Sequence, residues 1–334
     1  MGESTVETKA GQRPRTLRSD AARADAARTG VTRSGGAQTV VQPAAGGART
    51  VRQQRLTGER AEFFAHDVTY VDTIFADGES PLKHARGVTL RGVSFQWKYP
   101  LWYCSGVDVR DSTWFEMARA GVWYTEHMVV EDSTIEAPKN FRRCRDLTLR
   151  GVDLTHAEET LWACSDVTLH DVVARGDYFG MNCENVTAER LRLVGNYPFD
   201  GAHDVIVRDS RLVSKDAFWN CENVTVEHST ISGEYLGWNS RNLTFIDCTI
   251  ESLQGLCYVD NLVMKDCRLV NTTRAFEYST VDVDAHGTID SVVNPSGGLI
   301  RADRIGTLVM EPERVDPSRT TIITGDDSRK ETRA

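Results

Sequence analysis

Apolar residues return along this chain at a fixed phase. With Val224 and Leu243 as anchors, the same phase holds Val68, Val88, Val107, Met128, Leu147, Val167, Val186, Val205, Leu262 and Val281. These twelve copies are separated by 19 to 21 residues, most often 19. Two positions past the anchor a second apolar column includes Leu90, Val109, Leu149, Val207 and Phe245. Seven past it a third includes Phe75, Ile135, Leu154, Leu193, Ile231 and Ile250. The residue before the anchor is usually Asp, Asn or Gly (Asp67, Gly87, Asn223, Asn242), and Asp or Gly returns four past it (Asp72, Gly92, Asp111). Period-two alternation broken by such residues predicts short strands joined by tight turns. Asp, Asn and Gly tolerate the left-handed backbone that those turns require.

One such repeat cannot bury its own apolar side, so copies must stack. Stacked coils bring equivalent residues to about 4.8 Å, the spacing of paired strands. The expected fold is all-β, a single-stranded right-handed parallel β-helix of 11–12 coils over residues 58–288. A left-handed helix would show six-residue periods, and a pentapeptide helix five-residue ones. Residues 1–57, rich in Arg, Ala and Gly with few apolar positions, read as a disordered tail. After Ile289 the period fades, so 289–324 reads as a C-terminal cap and 325–334 as a second polar tail.

The runs LKHARGVTLRGVSF, KYPLWYCSGVDVRDSTWFEMARAGVWYTEHMVVEDSTI and KDAFWNCENVTVEHSTISGEYLGWNSRNLTFIDCTI carry a resemblance. From about Leu56 to Gly306 the chain resembles a bacterial family catalogued as domain of unknown function 3737. The resemblance implies a single-domain parallel β-helix, pectate-lyase-like in shape, and brings no catalytic residues with it.

Composition narrows the function classes. A net charge of −9 argues against a nucleic-acid partner, which needs clustered Lys and Arg. No apolar run is long enough to span a membrane, and residues 1–57 hold no signal-peptide core, so the expected location is the cytoplasm. There the eight cysteines would be thiols. Five of them (Cys104, Cys144, Cys164, Cys183, Cys221) lie three before an anchor, in a column otherwise filled by small residues, and read as core packing. No metal or cofactor is implied: H-E-x-x-H, a phosphate loop and G-x-S-x-G are all missing.

The sharper signal is aromatic. Trp102, Trp123, Trp162, Trp219 and Trp238 all lie five before an anchor, next to an apolar column, and are expected to face outward or line a corner. With Tyr103, Tyr124, Tyr178, Tyr197, Tyr235 and Tyr258 around them they make a stripe suited to a saccharide or small-molecule ligand, or to self-association. Acids accompany it: Glu158, Asp177 and Glu234 share one phase, and Glu159 and Asp216 the next. Two carboxylates about 5 Å apart would push their pKa values apart, the condition for acid/base chemistry. The longest interval, Val107 to Met128, inserts Glu116 and Arg119, either as a loop-tying ion pair or as functional groups.

Two readings follow. The first is a non-catalytic binding or assembly scaffold using Trp102, Arg119, Trp123, Tyr124, Trp162, Trp219, Glu234 and Trp238. The second is a carbohydrate-active enzyme using Glu116, Glu158, Asp177 or Asp216, which needs an open groove with two carboxylates beside the tryptophans.

Overall fold

The computed structural model describes residues 49–325, and in it the 19-residue phase is a ladder of parallel strands. The anchor of each coil sits in a strand such as Ser105–Arg110, whose Val107 pairs with Val88 of one neighbouring coil and Met128 of the other. A shorter strand follows, such as Thr113–Trp114, pairing with Ser94–Phe95 and Thr134–Ile135. The third side is nearly all turn. Leu101–Trp102 and Val122–Trp123 pair there as short strands, extended by single bridges from Trp123 to Arg142 and on to Trp162, and near the C-terminal end Val292 and Val293 pair with Leu308 and Val309. The fold is a right-handed parallel β-helix of about 15 turns.

That is more than the 11–12 coils expected, and both ends explain why. Arg49 pairs with Val68, so residues 49–56 form a first coil rather than tail. Only Val51 of Arg49–Arg52 is buried, and an exposed arginine fills the anchor position, so a search for apolar phase passes over it. At the other end Val281 pairs with Gly298, and Gly298 with Thr320, so the region expected as a separate cap continues the ladder. Gly298 has φ +109, and a Cβ there would lie 1.9 Å from the Val281 carbonyl oxygen. The anchor of that rung must be glycine, which no apolar pattern can reveal. The remaining parts of the expected tails, 1–48 and 326–334, lie outside the described residues.

The columns read from sequence line the core. Anchors and their second-column partners are buried throughout, and the third column stacks Phe75 on Phe95 and Phe95 on Trp114, each pair at 5.0 Å. The residues before the anchors turn the corner in left-handed conformation (Asn223 φ 58, Asn242 φ 53). Their amides form a ladder: Asn261 donates to Asn242 at 2.9 Å, Asn242 to Asn223 at 2.8 Å, and Asn223 to Asp204 at 2.9 Å. Asparagine thus serves both the backbone and the next coil.

All eight cysteines are buried and unbridged. In the inward column Cys164, Cys183 and Cys221 each donate to a carbonyl of the preceding coil at 2.9 Å. Thr125 and Ser240, at the same phase, donate to the equivalent carbonyls at 2.8 and 2.7 Å. The column selects a small side chain, alanine at Ala65, Ala85 and Ala202, and where it carries sulfur or oxygen that atom donates to the preceding coil. Burial pushes the Cys104 thiol up to about 12, far from the range of a reactive thiolate.

Candidate functional site

The five column tryptophans, expected to face outward or line a corner, are half-buried. For four of them the cause is the indole N–H. Trp102 donates to the Ala120 carbonyl at 2.6 Å, Trp123 to Lys139 at 3.2 Å, Trp219 to Tyr235 at 2.7 Å and Trp238 to Gln254 at 2.6 Å. Each of these rings is tied to the following coil and held against its neighbours along the ladder.

The ring faces are therefore occupied within the chain. Trp102 stacks on Trp123 at 4.8 Å with 6° between planes, and Tyr99 covers its other side at 4.7 Å. The Arg142 guanidinium lies between Trp123 and Trp162, 5.4 and 4.8 Å from their centroids. Glu159 binds that guanidinium and also Lys139, the latter at 3.0 Å. Burial alone would raise the Glu159 carboxyl, but the two cations outweigh it and hold it below the usual range. Beyond Trp162 the file runs through Tyr178, Tyr197, Trp219, Trp238 and Tyr258 to Tyr278, with successive centroids 5.0 to 6.4 Å apart.

A second file runs beside the first. Phe64, His84, Tyr103 and Tyr124 stack at 5.2, 5.2 and 4.9 Å, and Arg143 closes it 5.8 Å from the Tyr124 centroid. Burial, then Lys83 and Arg86, lower the His84 pKa and keep its ring neutral for stacking. What reaches solvent is Phe64 at the end of the second file and the outer tyrosines: Tyr103, Tyr124, Tyr178 and Tyr258 are each 37–45% exposed. By sequence these four tyrosines lie around the tryptophan column, and the structure finds them at the surface. Their signal was present, four before an anchor at Tyr103, Tyr124 and Tyr258.

The acids of this side do not converge on a groove. Glu158 contacts His156 at 3.5 Å, Asp177 accepts the Asn196 backbone N–H at 2.7 Å, and Glu234 contacts Lys215 at 3.5 Å. Asp216 is different. It is 1% exposed, and its carboxyl oxygens make no hydrogen bond of good geometry, leaving the Tyr197 hydroxyl and the Lys215 charge as the groups that favour its ionised form. Desolvation raises its pKa, and the charges of Glu234 and Asp200 add to the rise against Tyr197 and Lys215.

The sign for stability follows from linkage. A carboxyl whose folded pKa lies above its unfolded value binds more protons in the native state, so stability falls as pH rises through that window. The deficit is complete once pH exceeds the folded pKa. Asp216→Asn is therefore expected to raise the urea midpoint at pH 7, with the gain shrinking as pH falls toward 4. An equal gain at both pH values, or a loss at pH 7, would rule out an ionised, uncompensated Asp216.

The insertion forms a single 3-10 turn, Glu116–Ala118, and Arg119 leaves it in extended conformation. The loop-tying Glu116–Arg119 ion pair is not formed: both side chains are exposed, and neither joins a salt bridge among the described residues. Instead Glu116 lines a depression of about 340 Å³ with Gln96, Phe115, Met117 and Glu136. Its neighbour Glu136 is not among the residues the sequence singles out. A second depression, about 250 Å³, is lined by Asn261, Thr280, Val281, Asp282, Gly297, Gly298 and Arg319, none of them from the tryptophan side. Among the described residues no three His, Cys, Asp or Glu side chains are arranged to hold a metal ion, and no helix is long and apolar enough to cross a membrane.

Comparison with known proteins places these features in context. The model of a family described as "Protein of unknown function (DUF3737)" matches residues 49–323. No curated protein matches the chain. Among solved structures, the tailspike protein mutant E372Q (delta D470/N471) of E. coli bacteriophage HK620 is 13% identical with a TM-score of 0.41. That alignment covers 77% of this chain and 61% of the tailspike, so the chain spans about three fifths of that protein. The D339N tailspike mutant, solved in complex with a pentasaccharide, is 14% identical at TM-score 0.39, covering 80% of this chain and 65% of the other. The A-module of the Azotobacter vinelandii mannuronan C-5 epimerase AlgE4 is 10% identical at TM-score 0.29, covering 82% and 88%.

Proposed function

The chain belongs to the DUF3737 family, and we propose that it is a non-catalytic scaffold that binds or assembles through the aromatic side of its solenoid. One observation carries this reading: the double aromatic file uses its ring faces internally and offers tyrosine edges and hydroxyls along successive coils. Rigid Tyr, Trp and Arg surfaces lose little side-chain entropy on contact, and these residues dominate the energetics of protein interfaces. Sugar rings stack on free aromatic faces, which are scarce here, so a second protein surface or copy is favoured over a saccharide. The enzymatic alternative is less well supported. Glu158 and Asp177 each hold a structural partner, Asp216 is closed off from solvent, and Glu116 lines a depression that contains none of the column tryptophans.

The exposed tyrosines test the proposal better than the tryptophans, whose loss would also break hydrogen bonds between coils. The triple variant Tyr124→Ser, Tyr178→Ser, Tyr258→Ser is expected to keep its far-ultraviolet circular dichroism. Its self-association, or its binding of an oligosaccharide panel, is expected to weaken at least about tenfold, as follows from losing roughly 1.4 kcal/mol of contact. Light scattering over a concentration series and calorimetry measure the two outcomes. Association unchanged in the variant, or a wild-type chain that neither associates nor binds, would reject the reading.

A further inference from the structure

The depression beside the 3-10 turn is built by register. Phe95, Trp114 and Ile135 are paired on successive coils, so the residues that follow them, Gln96, Phe115 and Glu136, form one column. The insertion adds Glu116 and Met117 as a lip on the middle coil alone. Two properties of the lining are unusual for this molecule. Phe115 and Met117 are 40% and 37% exposed, an apolar pair open to solvent. Among the described residues Glu116 and Glu136 have no cation, although this chain commonly matches its surface acids from coil to coil. On the long-strand side Arg110 and Arg150 both contact Glu131, at 2.9 and 3.3 Å, and Arg145 contacts Glu126 at 3.2 Å.

We propose that this depression binds an arginine side chain presented by a partner protein. Two unmatched carboxylates call for a cation, and the aromatic ring and thioether between them call for one that stacks. A guanidinium meets both requirements: it is planar, weakly hydrated and pairs with carboxylates through a fork of donors, whereas an ammonium is compact and strongly hydrated. The chain uses the same recipe internally. Arg142 lies between two indole rings with Glu159 on its guanidinium. Arg119 does not fill the site from within, because the backbone leaves the turn extended and its side chain makes no ion pair.

The probe is N-acetylarginine amide, with N-acetylcitrulline amide as its neutral, near-isosteric control. The chain holds six methionines, so methyl-labelled methionine gives a simple spectrum, and Met117→Leu assigns the reporter. Titration with the arginine probe is expected to move the Met117 resonance saturably, with citrulline leaving it in place. Glu116→Gln and Glu136→Gln should each weaken the fitted affinity about tenfold, the scale of one charge-assisted hydrogen bond. Phe115→Ala should weaken it too. All three positions lie on the surface, and an unchanged melting curve shows the fold retained. The inference is overturned if citrulline gives the same shift, if Met117 does not respond, or if the double glutamine variant binds as the wild type does. The site shares no residue with the aromatic stripe, so either reading can fail alone.

Discussion

Trp114→Ala is expected to destabilise the solenoid by about 3–5 kcal/mol, the range for emptying a buried aromatic site. Trp114 is fully buried, caps the Phe75–Phe95–Trp114 stack and underlies the coil that carries the insertion. Neighbouring coils are fixed by their own backbone ladders, so the space cannot collapse cheaply. Trp114→Phe is the informative companion. Trp114 Nε1 is buried with no acceptor, and an orphaned donor costs about 1–3 kcal/mol. Phenylalanine removes that group and keeps most of the ring, so its net cost should be well under half that of alanine. Urea unfolding followed by circular dichroism measures both. If phenylalanine were as damaging as alanine, indole volume rather than aromatic packing would control the site.

Gly233→Ala is expected to cost about 3 kcal/mol, at the upper end of what overpacking does. A Cβ at Gly233 would stand 1.8 Å from the Ser214 carbonyl oxygen and 2.5 Å from its carbon. Those are backbone atoms of the preceding coil, and rotamer changes cannot move them aside. The coil must separate or twist, and the pairing of Thr230–Glu234 with its neighbours suffers. Because each coil contacts only the next, hydrogen exchange should accelerate at this boundary first. An unchanged midpoint with unchanged exchange around residues 214 and 233 would contradict the tight approach.

Legibility in the sequence followed the side chain. Val224 and Asn223 announce their places because burial selects an apolar group and the left-handed corner selects Asn. Rungs centred on Arg49 and Gly298 stayed hidden because backbone pairing holds them without an apolar anchor. The tryptophan phase was visible, but which way each ring lies depends on the carbonyl of the following coil that accepts its N–H. Glu136 was missed for a related reason. It becomes a neighbour of Glu116 only when three coils are laid in register and one of them carries an insertion.

The nearly uniform separation of paired strands, 16 to 22 residues, also governs how such a chain can fold. Every rung closes a loop of nearly the same length, so each adds nearly the same entropic cost, and no rung waits for a distant partner. The costly event is the first pairing, when one coil lies on another with nothing beneath. Each later turn settles on a finished template and leaves an identical template behind, as a layer does on a growing crystal face.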